Sequence, residues 1–222
     1  LIDVGGGCTT VSVFEDNFLA ASSVIPLGGE NITKDLSIGL RTSTEEAEEI
    51  KLHYGHAFYE TADEEETVEV SIIGSNEKKT FNQLEISDMI EARLEEIFEL
   101  SIRELRRMGY HELRGGYVLT GGTMKMPGAL DLAQAVFQAN ARIAIPDYIG
   151  VREPQYTVGI GTIQFAHQNA KVQGKEFGPS VSLEEPSPNR KQQEIHKNRP
   201  QENRTDEPKS SRVANFFKSF FE

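Results

Sequence analysis

The sequence predicts an α/β fold, and three observations predict it. A short apolar strand runs straight into a glycine turn in LIDVGGG, residues 1–7. A second strand, YVLT at 117–120, runs into a second glycine turn. Between them lies a long stretch with apolar residues at helical spacing. Of the 222 residues 37% are hydrophobic, enough to bury one substantial core or two small ones.

The elements follow in order. Strands are expected at 1–4, around Thr9–Phe14 and over Phe18–Ile25, with the Asp16-Asn17 turn joining the last two. Helical signals run from Glu30 to Ile38 and from Thr44 to about Gly55, the second opening TEEAEEIK with acids in its first turn. Segments 67–73 and 79–82 form a hairpin around GSNE. The long helix spans Leu84 to Met108. Ile86, Ile90, Leu94, Ile97, Leu105 and Met108 make its apolar stripe, and Gly109 stops it. After the strand at 117–120 come a helix at about 128–139 with Pro127 near its start, a short strand near Ile143 and a final helix from about Gln155 to Ala170. No internal repeat of fixed period is present.

The composition changes near residue 170. Residues 1–170 carry 13 basic and 27 acidic side chains, or −14, whereas residues 171–222 carry 10 and 8, or +2. An acidic body excludes nucleic acid as the partner, because phosphates need a basic face. Five of the nine prolines fall in 171–208, where Phe177 is the only aromatic residue. Such a segment buries too little apolar surface to offset its ordering entropy and reads as a disordered linker, with a typical span of roughly 35 Å. The single cysteine excludes an internal disulfide and a cysteine metal cluster, which suits the reducing cytosol. No run approaches 18 apolar residues, and no signal segment opens the chain. With no initiator Met and Leu1 already in a strand, the chain reads as the C-terminal part of a longer protein.

The glycines carry the first functional signal. Where a strand stops at Asp-x-Gly-Gly-Gly, the missing Cβ atoms let the backbone approach a bulky anion and adopt φ > 0, and the exposed amides form a nest for phosphate oxygens. Asp3, at the strand end, is placed to hold a hydrated Mg²⁺ beside them. A plain glycine-rich hairpin turn is the alternative. The second turn, VLTGGTMKMPG at 118–128, repeats the logic.

This pairing resembles the ATPase fold shared by actin, the sugar kinases and the heat-shock chaperones, which is ribonuclease H-like. IPLGGENITKDLS (25–37), AEEIK (47–51) and IEARLEEIF (90–98) narrow the resemblance to FtsA, the actin-like bacterial cell-division family. It covers residues 1–170 as the second large lobe: 1–27 and 111–170 as a large subdomain, with 28–110 as an inserted α+β subdomain. A linker at 171–208 and an amphipathic helix at 209–222 fit the same family. The resemblance implies ATP and Mg²⁺ as ligands. Asp3 would serve the metal, and Gly5, Gly6 and Gly7 with Thr9 the β- and γ-phosphates. Gly121, Gly122 and Thr123 would line the nucleoside, with Lys34, Glu48 and Lys51 toward the adenine. For Lys34 and Lys51 a solvated helix face is the alternative. At Cys8, where relatives commonly have a hydroxyl, contact would rest on the backbone amide. With the first lobe and its phosphate loop missing, half a cleft is no competent ATPase, and the resemblance favours a conformational switch.

The resemblance further implies that 28–110 docks the C-terminal peptide of FtsZ, the tubulin-like division protein. Arg93 matches the basic position implicated, where a guanidinium could grip a carboxylate bidentately. Arg103, Arg106 and Arg107 lie further along the helix, and pairing with Glu neighbours, such as Arg103 with Glu99, is the alternative for all four. The run ADEEET (62–67) reads as a solvated loop.

The chain ends KSSRVANFFKSFFE, residues 209–222. Val213, Phe216, Phe217, Phe220 and Phe221 share one helical face, with Lys218 opposite and Lys209 and Arg212 upstream. Ten helical residues reach about 15 Å, so the segment could lie on a membrane but not cross it. A docking helix for a protein groove is the alternative. With the tail so read, the resemblance implies an adaptor that polymerises and tethers FtsZ filaments to the cytoplasmic face of the membrane at the division site, alongside other division proteins. The rivals are a metabolite kinase or phosphatase of the same superfamily, or a pilus-assembly or cell-shape relative.

Overall fold

Three strands open the chain as an antiparallel meander: β1 (Ile2–Val4), β2 (Thr9–Glu15) and β3 (Phe18–Ile25). A computed structural model gives the structure for residues 1–75 and 77–174. Strand alternation puts Ile2 and Val4 in the core and leaves Asp3 half-buried on the opposite face. The turn between β2 and β3 holds Asp16 and Asn17 at φ 48° and 68°, the paired left-handed geometry that matches strand twist in a two-residue hairpin.

The insertion begins with α1 (Gly29–Leu40) and α2 (Thr44–Tyr54). The helix expected from Thr44 is present, but its cap is the preceding residue: the Ser43 hydroxyl accepts from Glu46 N at 3.1 Å. A two-stranded sheet follows, β4 (Thr67–Ser71) against β5 (Lys78–Asn82). Then comes α3 (Gln83–Arg107), opened by a reciprocal cap between Asn82 and Glu85. Its expected stripe is buried from Ile86 through Leu105, with Met108 partly covered.

The chain closes the main sheet with β6 (Tyr117–Thr120), α4 (Ala129–Phe137) and β7 (Ala141–Ile143). β6 runs parallel to β1 and β7 parallel to β6, so the order is β3-β2-β1-β6-β7. The 3₁₀ turn Pro154–Tyr156 leads into α5 (Thr157–Val172), two residues beyond the expected end. α3 is the common spine: it packs on β2, β3 and α4 of the main sheet and on α1 and β5 of the insertion. Against it Phe137 stacks on Tyr117, with centroids 4.1 Å apart, and meets Phe98 at a tilt of 55°, with centroids 5.1 Å apart. The linker expected from 171 on is described only to residue 174. The amphipathic helix with Val213, Phe216, Phe217, Phe220 and Phe221 lies outside the described residues, as do Lys209, Arg212 and Lys218. Among the described residues no helix is long and apolar enough to cross a membrane.

Candidate functional site

The strand β1 ends at Val4, and β2 begins at Thr9, so Gly5–Cys8 must reverse the chain in four residues. Gly5 N closes the turn on Cys8 O at 3.0 Å. The carbonyls of Gly5 and Gly6 are then taken by the first amides of α1, Gly29 N and Glu30 N, each at 2.9 Å. Among the described residues the amides of Gly6, Gly7 and Cys8 find no acceptor. A loop whose carbonyls are tied back while its amides stay free is a ready anion site. The expectation of φ > 0 at Gly5–Gly7 is corrected: none of the three is left-handed. What glycine supplies here is close approach. A Cβ on Gly28 would sit 2.5 Å from Gly5 O, in an extended conformation that any residue could otherwise adopt.

Thr9, expected at the phosphates, is fully buried, and its hydroxyl donates to Leu27 O at 2.8 Å. The side chain fastens the loop to the segment before α1, and its hydroxyl proton is used there. Sequence reasoning missed Glu30. Its carboxylate stands over the glycines, with Oε1 3.3 Å from where a Cβ of Gly6 would be. The signal was available as an acid in the first turn directly after Gly28-Gly29, a position that the helix dipole favours.

Lys51 is no solvated residue. Its side chain is only 10% exposed, and its ammonium donates to Gly29 O at 3.2 Å, Thr33 Oγ1 at 2.7 Å and Glu48 Oε2 at 2.6 Å. All three donors are therefore used inside the protein. The Thr33 hydroxyl also donates to Glu48. Burial pushes the Glu48 carboxyl up, but the bonds from Lys51 and Thr33 outweigh it and hold the group below its ordinary range. Lys34 is exposed. Gly7, Glu30, Lys34, Ser37, Glu45 and Glu48 line one open groove of about 910 Å³ between the loop and the two insertion helices. Three expected residues, Gly7, Lys34 and Glu48, thus meet on one surface, with Lys51 beneath it.

The second glycine turn meets the first. Gly121 is left-handed at φ 99°, and a Cβ there would lie 2.5 Å from Asp3 Oδ1. Thr123 Oγ1 donates to Gly5 O at 3.3 Å, and a 3₁₀ turn carries Gly122 and Thr123. Asp3 pairs with Thr120 across the parallel ladder, and burial raises its carboxyl above the ordinary value. A desolvated carboxylate at the strand end suits a hydrated divalent cation, which retains most of its water and needs few protein ligands. Among the described residues no cluster of three or more acidic, His or Cys side chains offers a fully protein-ligated metal site. Cys8 is exposed.

Arg93 lies apart from this groove. Its guanidinium is bidentate to Asp35 of α1, at 2.5 and 3.0 Å, and also donates to Glu96. The side chain is 26% exposed, so it bridges α3 to α1 as well as offering a charged face. Of the alternative pairings with Glu neighbours, Arg93 with Glu96 and Arg107 with Glu104 (the latter at 2.6 Å) are present among the described residues and Arg103 with Glu99 is not; Glu104 also accepts from Ser23 of β3.

Residues 1–161 match the family model for the cell division protein FtsA. The chain is 57% identical over 188 residues to the cell division protein FtsA of Bacillus subtilis, covering 83% of this chain and 43% of that one. It is 42% identical over 168 residues to the Enterococcus faecalis protein of that name, covering 76% and 38%. It is 36% identical over 194 residues to that of Pseudomonas aeruginosa, covering 84% and 46%. The chain thus spans less than half the length of these relatives. Among solved structures, MreB5 of Spiroplasma citri bound to ADP superposes with a TM-score of 0.64 at 19% identity, covering 79% of this chain and 55% of that one. A type IV pilus biogenesis complex, PilM-PilN, gives 0.53 at 18% identity, covering 72% and 43%. These likenesses show an actin-like ATPase fold.

Proposed function

The chain belongs to the family of the cell division protein FtsA, and on that premise we propose that it is the second lobe of an ATP-binding, actin-like adaptor that tethers FtsZ filaments to the membrane. One observation carries the nucleotide part. Three free amides, at Gly6, Gly7 and Cys8, face out of a loop whose carbonyls are held by α1. A triphosphate would lie on these amides, with Gly121, Gly122 and Thr123 on one side and the groove of Lys34 and Glu48 on the other. Lys51 would position Glu48 and the start of α1 rather than touch the nucleotide. Asp3 would hold Mg²⁺ through water, and the cation would offset the phosphate charge that Glu30 opposes. The MreB5 structures bound to ADP and AMPPNP support this reading of the fold.

The division of labour follows the sequence. Residues 1–27 and 111–170 form the nucleotide-binding subdomain, and 28–110 the surface for the FtsZ C-terminal peptide. Residues 171–208 form the linker, and 209–222 the anchor on the cytoplasmic face of the membrane at the division site. Self-association into an actin-like filament and contacts with other division proteins complete the role.

A flotation assay tests the anchor. Removal of residues 209–222 should leave the full-length protein in solution with anionic vesicles, because the five apolar side chains supply most of the binding energy. Lys209, Arg212 and Lys218 should each add about 1 kcal/mol on anionic lipid, weakening as salt rises. If the truncated protein still floats, the tail is no anchor and serves a protein groove instead.

For the peptide surface, Arg93→Glu should weaken binding of the FtsZ C-terminal peptide by about 1.5–3 kcal/mol, the range for losing a charge-assisted hydrogen bond. Because Arg93 also bridges α1 and α3 through Asp35, the same change should lower the melting temperature. Asp35→Asn separates the two effects. It should lower the melt while leaving a charged guanidinium free for the peptide. Equal loss of peptide affinity in both variants would mean that Arg93 only holds the helices together.

A further inference from the structure

The insertion's two-stranded sheet leaves β4 with an unpaired edge beside α2. Its direction follows from two bonds in the same ladder. Gln83 N donates to Glu66 O at 2.8 Å and Ile72 N to Glu77 O at 3.4 Å, so residues 66 and 72 point their backbone groups at the β5 side. Two-residue alternation in an antiparallel pair then turns Thr67, Glu69 and Ser71 outward. The outward amide of Ser71 is satisfied by Glu46 Oε1 at 3.0 Å, which caps one end of the edge. By that alternation the amides of Thr67 and Glu69 point away from β5, and among the described residues no side chain accepts from them.

A groove of about 470 Å³ runs along this edge. Ile50, Tyr54 and Val68 form its apolar wall, while Glu46, Glu49 and Glu69 supply carboxylates, with His53 at one side. Lys78 touches Glu69 at 3.4 Å, but both side chains are more than 60% exposed, so this pair is readily exchanged. Natural edges are often blunted by lysine, proline or a covering element. Here the outward side chains of β4 are Thr67, Glu69 and Ser71, with no proline.

We propose that the outer edge of β4 is a docking edge for an extended peptide of alternating apolar and Lys/Arg residues, added as a third strand. The backbone supplies the pairing, and each second residue supplies selectivity. One parity of side chains would lie against Ile50, Tyr54 and Val68, and the other beside Glu49 and Glu69. A five-residue strand such as β4 is about 17 Å long, which sets the footprint at five or six residues. The surface is separate from Arg93, whose partners are Asp35 on α1 and Glu96 on its own helix. The proposal therefore goes beyond the nucleotide, membrane and FtsZ-peptide readings.

The test uses the full chain and a labelled six-residue peptide of alternating Val and Lys, read by fluorescence anisotropy and amide hydrogen exchange. Saturable binding should slow exchange at the Thr67 and Glu69 amides. Glu69→Pro should weaken it at least tenfold, because it removes an outward amide without breaking the bonds to β5. Should that variant lose the hairpin, Glu49→Lys with Glu69→Lys gives the same readout by charge reversal. A peptide of the same composition with a central proline should bind at least tenfold more weakly. Equal binding by either peptide, or by the charge-reversed protein, overturns strand addition. Slow exchange at Thr67 and Glu69 before peptide is added also overturns it: independent of protein concentration, it assigns the edge to the chain's own residues, and rising with concentration, to a second copy.

Discussion

Gly28→Ala should cost the protein about 3 kcal/mol and lower its melting temperature by about 6–12 °C, one of the largest effects of any single methyl group in the chain. The new Cβ would lie 2.5 Å from Gly5 O and also against Gly6 O. Both are backbone atoms, so no side chain can swing aside. Either the glycine loop or the start of α1 must move. Such movement breaks the bonds from Gly29 N to Gly5 O and from Glu30 N to Gly6 O, at roughly 1 kcal/mol each. The remaining cost is overpacking. Gly115→Ala is the control, since a Cβ there meets nothing within 4 Å. Thermal unfolding of the two variants by circular dichroism is the measurement. A Gly28→Ala protein that melts with the control would show that the loop and α1 are not mechanically joined.

That joint has a functional consequence. The loop that would carry phosphate and the helix that opens the insertion share two backbone hydrogen bonds, and Lys51 of α2 holds the start of that helix through Gly29 O. α1 in turn meets α3 through Asp35 and Arg93. A change at the glycine loop therefore has a continuous physical route to the proposed peptide surface, through one helix.

The parts legible in the sequence are those set by neighbours in the chain. The stripe from Ile86 to Leu105, the Asp16-Asn17 turn and the two strand-to-glycine turns each follow from local periodicity or local conformation. The illegible parts depend on partners far away. Nothing near Arg93 announces Asp35, which is 58 residues distant. The burial of Lys51 depends on Gly29, 22 residues upstream, while an i,i+3 acid made a solvated face equally plausible from sequence. Thr9 shows the same limit. A hydroxyl beside a glycine loop suits either a phosphate ligand or a structural bond, and only the position of Leu27 O decides. Of the two properties that the sequence suggests for Gly5–Gly7, close approach and positive φ, the second is absent: the left-handed glycine of the site is Gly121, and the tight backbone approach to the loop is made by Gly28.

Gly6→Val separates binding from folding at this same loop. In the full-length protein it should weaken ATP–Mg²⁺ binding at least a hundredfold, a loss of roughly 2.7 kcal/mol or more. The protein-side contact of a Cβ on Gly6 is the Glu30 carboxylate, with Oε1 at 3.3 Å. Glu30 is exposed and flexible, so it can turn into solvent at little cost. The valine methyls would then project from the loop into the space where a phosphate oxygen would meet the free amides of Gly6, Gly7 and Cys8. Gly6 is not left-handed, so the substitution brings no conformational strain of that kind. The melting temperature without nucleotide should accordingly stay within about 2 °C of the parent, unlike that of Gly28→Ala. Calorimetric titration with ATP and Mg²⁺, beside a thermal melt, gives both numbers. A folded Gly6→Val protein that binds ATP as tightly as the parent would remove the phosphate from this loop, and with it the reason for the three free amides.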